Sequence, residues 1–137
     1  MNGDTTPRLQ SGTIRHPRPK YLDLFRIRLP VPGLVSILHR ISGFGLFVAI
    51  PFLLYLFQLS INSPEDYVRY RAIFAHPITK LLLIGLAWAL FHHLFAGIRF
   101  LLMDVHIGLE LERTRVNSII VIVAAIVCAV AIGVLLW

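Results

Sequence analysis

The stretch from Leu86 to Asp104 is apolar and long enough to cross a bilayer, yet it holds His92 and His93 in its middle, Arg99 below them and Asp104 at its end. Ionisable groups are costly inside a membrane, so by default they mark a site. On a helix, His93, Gly97, Phe100 and Asp104 fall on one face, while His92, Ala96, Arg99 and Met103 line the neighbouring face. A bulky flat ligand held by an imidazole needs a small residue one turn away. Gly97 stands in that position relative to His93, which points to a haem.

Two further runs have membrane-spanning length. No charged residue appears from Ile41 to Ser63, with Pro51 inside as an expected kink, and the chain from about Val116 to Trp137 is aliphatic to its end. The expected architecture is therefore all-α: three transmembrane helices in a bundle, at about 33–61, 78–103 and 116–137. Residues 1–30 form a basic, proline-interrupted arm, and residues 31–137 form the membrane domain. Asn62 or Ser63 caps a polar stretch opened by Pro64. Ala124, Ala125, Ala129, Ala131 and Gly133 predict close packing of the last helix.

Composition excludes several classes. In 137 residues, 57% are hydrophobic and only 15% charged, which fits a small polytopic membrane protein. The net charge of +6 is better explained by retention of cytoplasmic loops than by nucleic acid, given the apolar content. Ten of the thirteen Lys and Arg residues lie on the side that holds the N-terminus and the 104–115 loop, which puts the N-terminus in the cytoplasm. The single cysteine, Cys128, offers no disulfide, cluster or covalent haem attachment, so any haem is held by histidine alone. The arm lacks the apolar core and cleavage site of a secretory signal. Its part from Arg18 to Arg28 has the character of a segment lying on the membrane surface or against a soluble partner.

The entry to the first helix reads Ser36-Ile37-Leu38-His39-Arg40-Ile41-Ser42-Gly43 and puts Ser36, Arg40 and Gly43 on one face, with His39 beside them. Because the helices alternate in direction, this motif and the Arg99 to Asp104 end of the second crossing lie at the same boundary. His93 sits about 15 Å deeper than Asp104 at the helical rise. His39 is expected nearer the surface than His93.

The segment from Arg18-Pro19 through Ser36–Gly43, followed by His93-x-x-x-Gly97-Ile98-Arg99-x-x-x-x-Asp104, resembles the signatures of the cytochrome b subunit that anchors bacterial succinate dehydrogenase, respiratory complex II. The resemblance covers most of the chain. It implies that His93, rather than His92, is an axial ligand of haem b, that Ser36 and Arg40 line the ubiquinone pocket, and that His39 and Arg40 lie near the haem propionates. Many relatives carry a histidine directly after the Gly-Ile-Arg, where this chain has Phe100. The implied partners are a flavoprotein subunit, an iron–sulfur subunit and a second membrane-anchor subunit that completes the bundle and supplies the other haem ligand. Ubiquinone, lipid and a multi-pass place in the bacterial inner membrane complete the expectation. For Arg99 and Asp104 the expectation is a boundary pair that fixes topology; for His92, a packing or lipid-facing residue. Two alternatives stand beside this reading: a quinol:fumarate reductase anchor, and a non-redox structural or transport subunit.

Overall fold

A computed structural model describes residues 29–137, so the basic arm, apart from its last residues, lies outside the described part. Four helices follow in order: α1 (Val31–Ile61), α2 (Pro64–Ala75), α3 (Pro77–Asp104) and α4 (Leu111–Leu136). Three of them, α1, α3 and α4, are long and apolar enough to cross a membrane. In hydrocarbon every backbone N–H and C=O must be satisfied within the segment, and a helix does this without help from water.

The three long helices form an up-down-up bundle with α3 at its centre, touching both α1 and α4. Val35, Ala96 and Val121, one residue from each, make its buried contact, with Phe95, Phe100 and Ile122 packed around it. Burial between α3 and α4 relies on small residues. Ala125 and Ala129 are buried, and a side chain at Gly133 would stand 3.3 Å from Ile84, so Ala125, Ala129 and Gly133 form a strip at steps of four along which the helices approach closely. Ala131, expected in the same role, is exposed, because it lies off that strip. The outer face is as apolar as the inside: Phe44 and Phe47 are each 71% exposed, as residues facing lipid are.

The connection after α1 contains a helix of its own. Ser63 accepts a hydrogen bond from the Asp66 backbone N–H at 3.1 Å and Pro64 occupies the first turn, so the expected cap starts the twelve-residue α2. Tyr67 stacks on Tyr70, with Phe74 tilted against it, along one side of the helix, and tyrosines are side chains of the kind that settle at membrane interfaces. Hydropathy misses such a helix because its apolar residues do not fill a spanning window.

Helix α4 begins at Leu111, earlier than the 116 expected, because hydropathy marks where the lipid-facing part starts and not where the backbone becomes helical. The turn between α3 and α4 is correspondingly tight. His106, at φ 63, closes α3: its N–H bonds to Met103 O (3.0 Å) and the Ile107 N–H to Leu102 O (2.9 Å). This 6→1 and 5→2 pair normally employs glycine at the left-handed position. At the opposite end of the bundle, Lys80 lies 5.2 Å from the Trp137 ring, so the C-terminus returns to the level of the start of α3.

Candidate functional site: the histidine seam between α1 and α3

Antiparallel packing brings the start of α1 against the second half of α3. His39 and His93 stack face to face across the seam, with ring centroids 4.1 Å apart and planes 12° from parallel. His39 therefore lies at the depth of His93, contrary to the expectation that it sits nearer the surface. The reason is helix length: His39 is eight residues inside α1, about 12 Å along the axis, which nearly matches the depth of His93 from the other direction. The Phe100 ring closes one side, 5.3 Å from His39.

His93 is fixed through one ring nitrogen. Its Nδ1–H donates to the His39 carbonyl at 3.0 Å, and the Ser42 hydroxyl stands 3.4 Å from the same nitrogen while donating to that carbonyl itself. A carbonyl can only accept, so Nδ1 carries the proton and Nε2 keeps its lone pair. Among the described residues Nε2 makes no hydrogen bond, and the side chain is only half-buried. An imidazole oriented through Nδ1 by a backbone carbonyl, with Nε2 open, is the usual arrangement of a metal-ligating histidine.

The small residue that makes room for His93 is Gly43, not Gly97. A Cβ on Gly43 would lie 2.7 Å from His93 Cε1, whereas a Cβ on Gly97 would meet His39 Nε2 at 3.6 Å. Side chains lean toward the helix N-terminus, so the ring of His93 points away from the residue four positions later. Each histidine thus packs over the glycine of the opposite helix.

Ser36 and Arg40 lie on α1 one turn apart, on the face that also carries Gly43, about 10 Å and about 5 Å nearer the helix start respectively. Ser36 is half-buried and Arg40 exposed. Among the described residues neither side chain is engaged in a hydrogen bond or ion pair.

The neighbouring face of α3 behaves differently. His92, Ala96 and Arg99 are its buried residues. His92 is wholly enclosed and stacks on Trp88 at 5.3 Å, which makes it a packing residue and excludes the lipid-facing alternative. Arg99 is 6% exposed, and its NH2 donates to Thr114 O at 3.5 Å. No pair forms with Asp104, which is exposed: five residues on a helix is about 140° of rotation, so the two point to different sides. Sequence reasoning overlooked the Ser42–His39 carbonyl clamp. Gly43 carried a signal for it, since a glycine on the polar face of a membrane helix marks close approach.

This combination, three helices of spanning length with an oriented, half-buried histidine at mid-depth, is that of a multi-pass membrane subunit, and the sequence comparisons narrow it. The profile described as succinate dehydrogenase/fumarate reductase transmembrane subunit matches residues 14–132, so the chain belongs to that family. It is similar to proteins named succinate dehydrogenase cytochrome b556 subunit. That of Coxiella burnetii is 36% identical over 122 residues, spanning 88% of this chain and 97% of the relative. The Paracoccus denitrificans protein is 32% identical over 113 residues (82% and 87%), and the Rickettsia felis protein 30% over 124 (90% and 94%). The chain is thus a multi-pass membrane subunit of an enzyme-complex family.

Proposed function

We propose that this subunit anchors a succinate:quinone oxidoreductase in the bacterial inner membrane, binds haem b through His93 and contributes Ser36 and Arg40 to the ubiquinone-reduction site. The observation that carries the reading is the His93 imidazole: its Nδ1–H is held by the His39 carbonyl, its Nε2 is open, and Gly43 leaves it room. These residues fit a haem. When bound, it supplies a one-electron redox centre beside the quinone pocket, and His39 and Arg40 stand on the α1 face where its propionates would find donors.

His39 does not complete the coordination. Two rings stacked nearly parallel direct their nitrogens side by side rather than toward a common point between them. A second residue to hold the haem would therefore come from another chain, in keeping with a second membrane-anchor subunit. Electrons arrive from succinate through a flavoprotein and an iron–sulfur subunit, and the quinone takes up two electrons and two protons. The Ser36 hydroxyl donates to one quinone carbonyl, and the Arg40 guanidinium offsets the negative charge that develops as electrons arrive before protons. In this reading the N-terminus and the 105–110 turn face the cytoplasm, because ten of thirteen cationic side chains lie on that side.

The test is a reduced-minus-oxidised spectrum of the complex purified in mild detergent, with identification of the co-purifying subunits. A b-type band, a flavoprotein and an iron–sulfur protein are expected. A colourless preparation that travels without them would favour a structural or transport subunit.

A further inference from the structure

Arg99 is charged, buried and incompletely answered. Its Nε and NH1 have no hydrogen-bond partner among the described residues, and its one bond, to Thr114 O, is long. A guanidinium cannot shed its proton, so a buried one needs an anion or several acceptors to offset desolvation. Phe100, 5.3 Å away, offers only a ring. Nearby carboxylates do not serve. Asp104 lies round the helix, and Glu110 already holds Arg113 at 2.9 Å in the exposed turn.

Arg99 borders a cavity of about 370 Å³ between α3 and α4, whose other walls include Phe95, Ile98, Leu102, Ile120 and Asn117. Ile98, Leu102 and Ile120 are about half exposed, so the cavity opens on the outer, apolar surface of this three-helix bundle. Arg99 stands five residues from the end of α3, about 7 Å, at the depth where acyl chains give way to headgroups. The site is separate from the histidine seam: His93 and Arg99 are about 120° apart around α3.

We propose that this cavity is a phospholipid site, in which the lipid phosphodiester is bound by the Arg99 guanidinium and the Asn117 amide while an acyl chain lies along Ile98 and Ile120. The phosphodiester supplies the missing negative charge and accepts from the orphaned nitrogens. A neutral quinone head would leave the charge unanswered.

The test uses the full-length chain, purified in mild detergent with the subunits that accompany it, and native mass spectrometry of retained phospholipid. The unmutated protein keeps bound phospholipid, Arg99→Lys keeps most of it, and Arg99→Gln loses it about tenfold or more, as expected when a charge-assisted bond is removed. Ala124→Phe, which fills the cavity wall and leaves Arg99 in place, loses it too and decides the matter if Arg99→Gln does not assemble. After delipidation, dioleoylphosphatidylglycerol raises the melting temperature of the unmutated protein, and inorganic phosphate does not. Equal retention in Arg99→Gln and Ala124→Phe overturns the proposal. So does an equal rise with phosphate alone, which would make this a free-anion site, or a cross-link showing Arg99 paired to a carboxylate of another subunit.

Discussion

The two seams of α3 handle polar groups in opposite ways. Toward α1, His93 and His39 are half-buried, one imidazole nitrogen is tied to a backbone carbonyl and the other is open. Toward the bundle interior and α4, His92 and Arg99 are enclosed, and among the described residues the His92 ring nitrogens and the Arg99 Nε and NH1 have no hydrogen-bond partner. Adjacent positions in the chain thus meet unlike environments because one residue turns a helix by about 100°. A histidine that is oriented and accessible can ligate; one that is enclosed can only pack.

The sharpest way to break this contrast is to exchange the two histidines' fates. His93→Leu is expected to abolish the b-type spectrum, whereas His92→Leu leaves it largely intact and acts on stability instead. Equal spectral loss in both, measured on purified complexes, would place the ligand on the wrong seam. Next in size is the quinone end of the α1 face. Ser36→Ala and Arg40→Leu each remove about 2–4 kcal/mol of transition-state stabilisation, a loss of roughly 30- to 1000-fold in succinate-to-quinone transfer. Electron transfer from succinate to a soluble dye should survive, and Ser36→Ala should keep its haem spectrum. Unchanged quinone kinetics in both variants would move the pocket elsewhere.

A smaller effect separates the two glycines. Gly43→Ala forces the His93 ring to shift, since the new methyl would stand 2.7 Å from Cε1, while Gly97→Ala meets only an ordinary contact at 3.6 Å. The ring is the free end of a side chain and can swing. Gly43→Ala therefore displaces the haem band or its midpoint potential with little change in melting temperature, and Gly97→Ala does neither. If both variants behaved alike, the crossed packing of histidine over glycine would be wrong. The smallest effect lies at the far end of the bundle, where Ser63→Ala removes the α2 cap for about 0.5–2 kcal/mol, readable as a lower melting temperature with an unaltered spectrum. A spectral change there would mean that α2 couples to the histidine seam.

Much of the fold was legible in the chain because a membrane leaves few solutions. Uncharged runs of spanning length have to be helices, and alternating crossings bring the Ser36–Gly43 motif and the second half of α3 to one end. Helix α2 and the early start of α4 were not legible from hydropathy, since the Ser63 cap starts α2 and the first turn of α4 is mostly made of polar residues that no spanning window includes. The candidate site was legible as a set of residue types: His93, His39, Ser36 and Arg40 stand out because polar groups in apolar runs are rare.

What the sequence alone determined is which residues share a helical face, because helical periodicity is a local property of the backbone. Which face meets which neighbour is a property of packing, and only the tertiary structure decided it. Packing put His39 level with His93, gave His93 its room over Gly43 rather than Gly97, and set Arg99 beside a cavity along α4. The physical reason is that interhelical contacts depend on the depth and rotation at which two rigid helices cross, and neither quantity is written within a single turn of chain.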